Sequence, residues 1–306
     1  MLVFFFERKV VPRRIMSSTI GLFAVVALLN SAVFVQSEPT WQSFRVTWGL
    51  NLFSSRIFAK LPQLESKARS EGFVKLAGEC SGGKFVGHRL MKGLDTAAVI
   101  IYDDNGYVAG LQHGIPKNDV EKVNTTFSFE RSSAYQLDKI LGDEEVYFIT
   151  TYFVDPSIIC NGGRTKLQYE DQGVGTGLWI QNGTDPIRDS VQVPLYEKDM
   201  EGTKWYKGGC FRTMGVHYWY GAHANMSCTD FFPLTAIYNR GKLTNFAFAS
   251  FGNYEFSRRF EHPSSTALTL FMPEPMPKCI DDEYERSGGV SSMHVFFSVR
   301  PWNTFC

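Results

Sequence analysis

Glu71-Gly72-Phe73-Val74-Lys75-Leu76-Ala77-Gly78-Glu79-Cys80 and Glu201-Gly202-Thr203-Lys204-Trp205-Tyr206-Lys207-Gly208-Gly209-Cys210 share one spacing of Glu-Gly, Gly and Cys. The order of landmarks persists on both sides of the chain. Gly87-His88 follows the first cysteine, and Gly215-Val216-His217 follows the second. Apolar runs closing on tyrosine come next, Ala98 to Tyr102 and Thr235 to Tyr238, each followed by a turn, Asp103 to Gly106 and Asn239 to Gly241. An apolar run, a glycine turn and a second β-favouring run reads as a hairpin. Phe153 to Pro156 with Cys160 then answers Phe271 to Pro275 with Cys279, and Tyr169-Glu170 answers Tyr284-Glu285. Self-similarity of this kind predicts two diverged copies of one domain in tandem.

The expected fold class is α+β, each copy a β-hairpin-rich and mainly antiparallel domain held by disulfides. Domain boundaries fall at 1–37 for a signal peptide, 38–190 for the first copy and 191–306 for the second. Strands are expected at 44–48, 97–102, 107–112, 126–129, 146–153, 178–181, 234–238, 243–250, 267–271 and 294–299. Helical spacing of Ile57, Phe58, Leu61 and Leu64 predicts a helix within 54–70, turned at Pro62, and 133–141 reads as a second short helix.

Arg13-Arg14, an apolar stretch from Ile20 to Val35 broken by Asn30, and the polar Gln36-Ser37-Glu38-Pro39 follow the layout of a secretory signal. The apolar core, about sixteen residues, is shorter than the roughly twenty of a spanning helix. No later stretch is long and apolar enough to span, so a secreted, extracellular protein is expected. Six cysteines, an even number, then predict three disulfides. Equivalence of the copies pairs Cys80 with Cys160 and Cys210 with Cys279, leaving Cys228 for Cys306. Sequons at Asn124, Asn182 and Asn225 predict a glycoprotein. Balanced charge, 31 basic against 31 acidic residues, argues against a nucleic-acid partner.

Chemistry-bearing residues concentrate between Cys210 and Cys228, where His217-Tyr218-Trp219-Tyr220 is followed by His223. Two imidazoles among aromatic rings suit a metal site or the wall of an aromatic ligand pocket, and they also suit, more simply, a packed aromatic strand with one buried and one loop histidine. His88, the repeat partner of His217, would meet it if equivalent positions converge between the halves, bringing Arg89 with it. His88, His217 and His223 are the candidate catalytic groups, and Arg89, Tyr218, Trp219 and Tyr220 the candidate ligand-binding ones. His113 reads as a loop histidine. Gly173 to Gly177 lacks the lysine and helix of a phosphate loop and reads as a turn. No residue pattern specifies a cofactor or a metal.

Gly215 to Tyr220 with Cys228 to Leu243 resembles a family of uncharacterised secreted invertebrate proteins. Gly87-His88-Arg89 with Lys92 to Ala97 and Asp103 to Gly106 is similar to the secreted luciferases of syllid worms. That likeness implies an oxygen-using enzyme acting on a small luciferin. Two functions therefore stand side by side. One is a binding protein holding a small, largely apolar or aromatic ligand in a cleft between the halves. The other is a secreted oxidative enzyme, an oxidoreductase using molecular oxygen.

Overall fold

The computed structural model describes residues 41–140, 142 and 144–304. The expected signal peptide and Cys306 lie outside them. Runs of alternating apolar residues on either side of the glycine turns form antiparallel ladders, as period-two patterns do. The first sheet contains β3 (Phe73–Lys75), β4 (His88–Lys92), β5 (Val99–Tyr102), β6 (Val108–Pro116), β8 (Glu145–Tyr152), β9 (Leu178–Gln181) and β10 (Ser190–Val193), with β7 (Tyr135–Lys139) also paired to β8. Its order is β10-β9-β8-β6-β5-β4-β3. The second runs β11 (Trp205–Phe211), β12 (Gly215–Tyr220), β13 (Leu234–Asn239), β14 (Lys242–Phe251) and β15 (Val290–Phe296), and then takes β1 (Arg45–Val46) and β2 (Ala59–Lys60) from the other end of the chain. All the pairings between these strands are antiparallel.

Alternate residues of both sheets meet in a single hydrophobic cluster. Ile100, Leu111 and Ile149 of the first sheet join Ala236, Phe246, Phe248 and Val295 of the second. Each such side chain contributes about 1.5–3 kcal/mol when fully buried. His113 stacks on Phe248 at 4.9 Å, and Tyr135 Oη lies 2.5 Å from Ser250 Oγ. Trp41 stacks on Phe297 at 3.9 Å while its ring N–H donates to the Leu243 carbonyl. The boundary expected at 190/191 falls inside β10, and the residues on its two sides share this core.

Helices are few and short: α1 (Glu65–Ser70), α2 (Lys117–Val120), α3 (Pro156–Ile159), α4 (Lys166–Gln172), α5 (Ser265–Phe271) and α6 (Cys279–Ser287). The protein is therefore more β-rich than an α+β domain. The helix expected within 54–70 shrinks to α1, because residues 59–60 are drawn into β2. The helix expected at 133–141 is strand β7, whose edge pairing with β8 overrides local helical spacing. Residues 126–129, expected as a strand, form none. Residues 267–271, also expected as a strand, are helical, since the Ser264 side chain caps α5 by accepting from the Ala267 N–H.

Cys80 is bonded to Cys160, as repeat logic expects. Cys279 is bonded to Cys228, which corrects both the Cys210–Cys279 and the Cys228–Cys306 pairings. The reason is positional: Cys80 lies between strands, whereas Cys210 lies within β11, so the two are not equivalent. Cys210 is disulfide-bonded as well.

The two hairpins agree in detail. Gly87 (φ 100°) and Gly215 (φ 123°) both need the left-handed region, and a Cβ on either would collide with Ile101 and the Tyr102 carbonyl, or with Ile237 and the Tyr238 carbonyl. A register shift separates Ile101 from Tyr102 and Ile237 from Tyr238. Tyr102 Oη donates to the Pro62 carbonyl, and Tyr238 Oη to that of Pro194. Glu65 N–H donates to Gly106 O, and Glu197 N–H to Gly241 O, both at 2.8 Å. With the registers so fixed, Arg89 opposes Ile101 as His217 opposes Ile237, while His88 opposes Tyr102 as Val216 opposes Tyr238. The position equivalent to His217 is thus Arg89 and not His88. A slip of one residue along a strand reverses the face.

Candidate functional site

A cavity of about 520 Å³ lies over the face of the second sheet turned away from the shared core. Its floor is a cross-strand row, Trp219, Thr235, Ala247 and His294, in direct register over four strands. His217 belongs to the neighbouring row, and Ala249 paired with Ser292 to the one on the other side. Large groups at the ends and small ones in the middle leave the hollow. Leu268 and Phe271 of α5, with residues 48–57 and 260–263, form the remaining walls. Glycine makes this cover close: a Cβ on Gly208 or Gly209 would strike the Phe271 or Leu270 carbonyl. Trp219 ties the cover to the floor, its ring N–H donating to the Phe271 carbonyl at 2.8 Å. Its lining comes from residues 48–57 and 211–294, with none between 58 and 210.

The polar groups of the wall centre on Glu261. Its backbone bridges to Ser292 in both directions, at 2.8 and 2.9 Å. The carboxylate accepts from the Trp48 N–H at 2.5 Å, the His294 N–H at 3.1 Å and Ser292 Oγ at 3.2 Å. His294 Nδ1 lies 2.5 Å from Glu261 Oε2. Burial would raise the Glu261 pKa, but the His294 imidazole and these donors hold it below the usual carboxylate range. A carboxylate can only accept, so Nδ1 carries a hydrogen, and in the neutral form of the ring Nε2 then keeps its lone pair. That Nε2 is buried and has no hydrogen-bond partner. An unmet buried polar atom costs about 1–3 kcal/mol.

His217 faces the Gly209 carbonyl through Nδ1 at 3.2 Å, which likewise places the hydrogen on Nδ1. Burial, with His294 nearby, pushes its pKa down to about 3. Its ring lies 6.1 Å from that of His294 and 4.9 Å from that of Phe271. Besides His262, the wall thus holds one neutral imidazole and one backed by a carboxylate, and the latter is the arrangement of a general base. Among the described residues the three-residue group of His, Cys, Asp and Glu close enough to share a metal is Cys80, Asp104 and Cys160, and its two sulfurs are already joined to each other.

The other residues singled out from sequence are scattered. His88 lies 3.8 Å from Asp104, beside the Cys80–Cys160 bond. Arg89 is paired with Asp138 at 2.8 Å and lies over Phe85. Tyr218 projects from the opposite face of β12 and donates to Glu197 at 2.9 Å, and Tyr220 packs on Trp205 and Phe232. His223 is exposed, near Tyr206. His113 is a buried strand residue and not a loop one. Residues 173–177 contain no phosphate-loop helix. Asn124 and Asn225 are exposed and Asn182 is half-buried. Only His217 and Trp219 of the candidate set line the cavity. Glu261 and His294 were not singled out by sequence reasoning. The one signal for His294 was the strand alternation, with Met293, Val295 and Phe297 on the core side and Ser292 and His294 on the other. Comparison of the chain with protein-family models, with curated proteins and with solved structures finds no match.

Proposed function

We propose that the protein is an extracellular glycoprotein, built from two diverged copies of one domain, that takes a small, largely apolar or aromatic ligand into the cavity over β12–β15. One observation carries the reading: a half-open hollow floored by Ala247, Ala249 and Trp219, with a few polar groups placed along its wall. Ligand sites commonly combine roughly 300–1,000 Å³ of apolar volume with a small number of placed polar groups. Disulfides and exposed Asn124 and Asn225 support an extracellular life, and among the described residues no helix is long and apolar enough to cross a membrane. The matched hairpin hydrogen bonds support the duplication.

Native mass spectrometry of the protein secreted from eukaryotic cells, with displacement of an apolar fluorescent dye, tests this. A small molecule or dye should bind at one per chain, and Ala249→Phe should weaken binding by about tenfold or more, ~1.4 kcal/mol, with the thermal midpoint retained. Undiminished binding in that variant would place the ligand elsewhere.

A second reading, the secreted oxidative enzyme implied by the luciferase resemblance, is favoured by the carboxylate-backed His294 in the same wall. It predicts oxygen uptake with a small aromatic substrate. His294→Gln should abolish that uptake while dye binding persists.

A further inference from the structure

We infer that the cavity takes its ligand as a weak acid, one aryl or enol hydroxyl of which meets Nε2 of His294 and leaves its proton there. This rests on the reading of the cavity as a ligand site and deepens it by naming the ligand's chemical class.

The geometry begins with the orphaned nitrogen. His294 is fixed through Nδ1 by Glu261, and its Nε2 has no hydrogen-bond partner, in a floor that also holds Trp219, Thr235 and Ala247. A ligand that satisfies it must bring a hydrogen. Of the three imidazoles lining the cavity, His294 is the one whose Nδ1 lies in hydrogen-bond contact with a carboxylate, which can offset a positive charge, whereas His262 Nδ1 faces Ser291 Oγ. His217 faces a backbone carbonyl, a weaker partner for an added proton. Further round the wall stand Arg56 and His262, and among the described residues the one carboxylate lining the cavity, Glu261, is already engaged with His294.

In the transfer the ligand O–H bond breaks with its electron pair remaining on oxygen, and an Nε2–H bond forms. Charge is conserved: a neutral ligand beside neutral His294 and anionic Glu261 becomes an anion beside an imidazolium and the same carboxylate. No oxidant is consumed. A hydroxyl of this class fits better than a carboxylic acid, because it enters an apolar chamber uncharged and ionises only in place, whereas a carboxylate must shed its water on entry. The resulting charge-assisted contact is stronger than a neutral hydrogen bond.

Umbelliferone, whose neutral and anionic forms have different absorption spectra, and its O-methyl ether test the inference on the intact secreted protein. At a pH below the solution pKa of umbelliferone, the wild-type protein should bind the hydroxyl compound with the spectrum of the anion, and roughly tenfold or more tighter than the ether. In His294→Gln the bound spectrum should revert to the neutral form and the preference should vanish, while ether affinity is kept as evidence of an intact cavity. Glu261→Gln should give the same reversal, which guards against one variant failing to fold. If both compounds bind wild type but the hydroxyl stays protonated, or ionises equally in both variants, the inference falls and the cavity reading survives. If neither compound binds, both fall.

Discussion

The faces of the two sheets turned away from the shared core differ sharply, although the strands beneath them correspond. On the first sheet the row Val99, Gln112 and Thr150 stands where Thr235, Ala247 and His294 stand on the second. Above the first, Leu76, Phe85, Met91 and Phe148 pack into one cluster, and Ile101, Tyr152, Val154 and Ile159 into another beside the Cys80–Cys160 bond. In its row Gln112 donates to Thr150 at 3.0 Å and accepts from Arg89 at 3.5 Å, while Nδ1 of His88, beside the disulfide, has no hydrogen-bond partner. Above the second sheet the corresponding space is hollow and an imidazole nitrogen goes unpaired. A face filled this way is maintained by packing alone. Emptiness and an unmet acceptor both cost stability.

The contrast is broken most directly by truncating one ring on each face. Phe148→Ala, in the filled face, should lose about 3–5 kcal/mol, the usual cost of deleting a buried phenyl ring. Phe271→Ala, in the cover of the hollow, should lose only about 1–2 kcal/mol, because the ring borders free volume and is half-buried. Urea unfolding of the two variants measures both. Equal losses would mean the second face is packed as firmly as the first.

Acid sharpens the comparison further, since each sheet buries a histidine against a backbone carbonyl. His113, facing Ala97 O from between the sheets, is pushed down to about 4 by burial, and His217 to about 3. Their unfolded values are near 6.5. Below that pH the unfolded chain binds a proton at each site and the folded chain does not, so stability falls as pH falls. Each histidine contributes a slope of about 1.4 kcal/mol per pH unit until its folded pKa is approached. Stability measured between pH 6 and 5, roughly one unit below the unfolded pKa, should drop by about two such slopes in wild type and by one in His217→Gln. An unchanged slope would show that His217 already carries a proton in the folded protein.

Much of this architecture was readable from local pattern. Ala98 to Tyr102 and Thr235 to Tyr238 form the expected strands because each is a short apolar run, buried throughout, that closes on a glycine turn a few residues away. The assignment of His88 to the place of His217 failed by a single position, because a β-bulge or an extra turn residue changes the face without changing the composition. The 267–271 run is apolar enough for a strand, yet the Ser264 cap and the glycine pair at 208–209 seat it as a helix. Glu261 and His294 escaped for a different reason. They stand 33 residues apart in sequence and meet only through the bridge of Glu261 to Ser292, a long-range pairing that no local window contains.

The smallest effect expected concerns added volume. Ala247→Leu would extend a side chain into the hollow between Thr235 and His294. Each buried methylene contributes about 0.8 kcal/mol, offset by side-chain ordering, so the net change in stability should stay within about 1 kcal/mol. Val99→Phe, a comparable enlargement on the filled face, should instead cost about 1–3 kcal/mol, because overpacking displaces side chains already in contact. Denaturant midpoints of the pair decide whether the volume over the second sheet is free in solution. A loss of that larger size in Ala247→Leu would mean that the cover closes onto the floor, in which case the unpaired His294 nitrogen could meet a ligand only after α5 had moved.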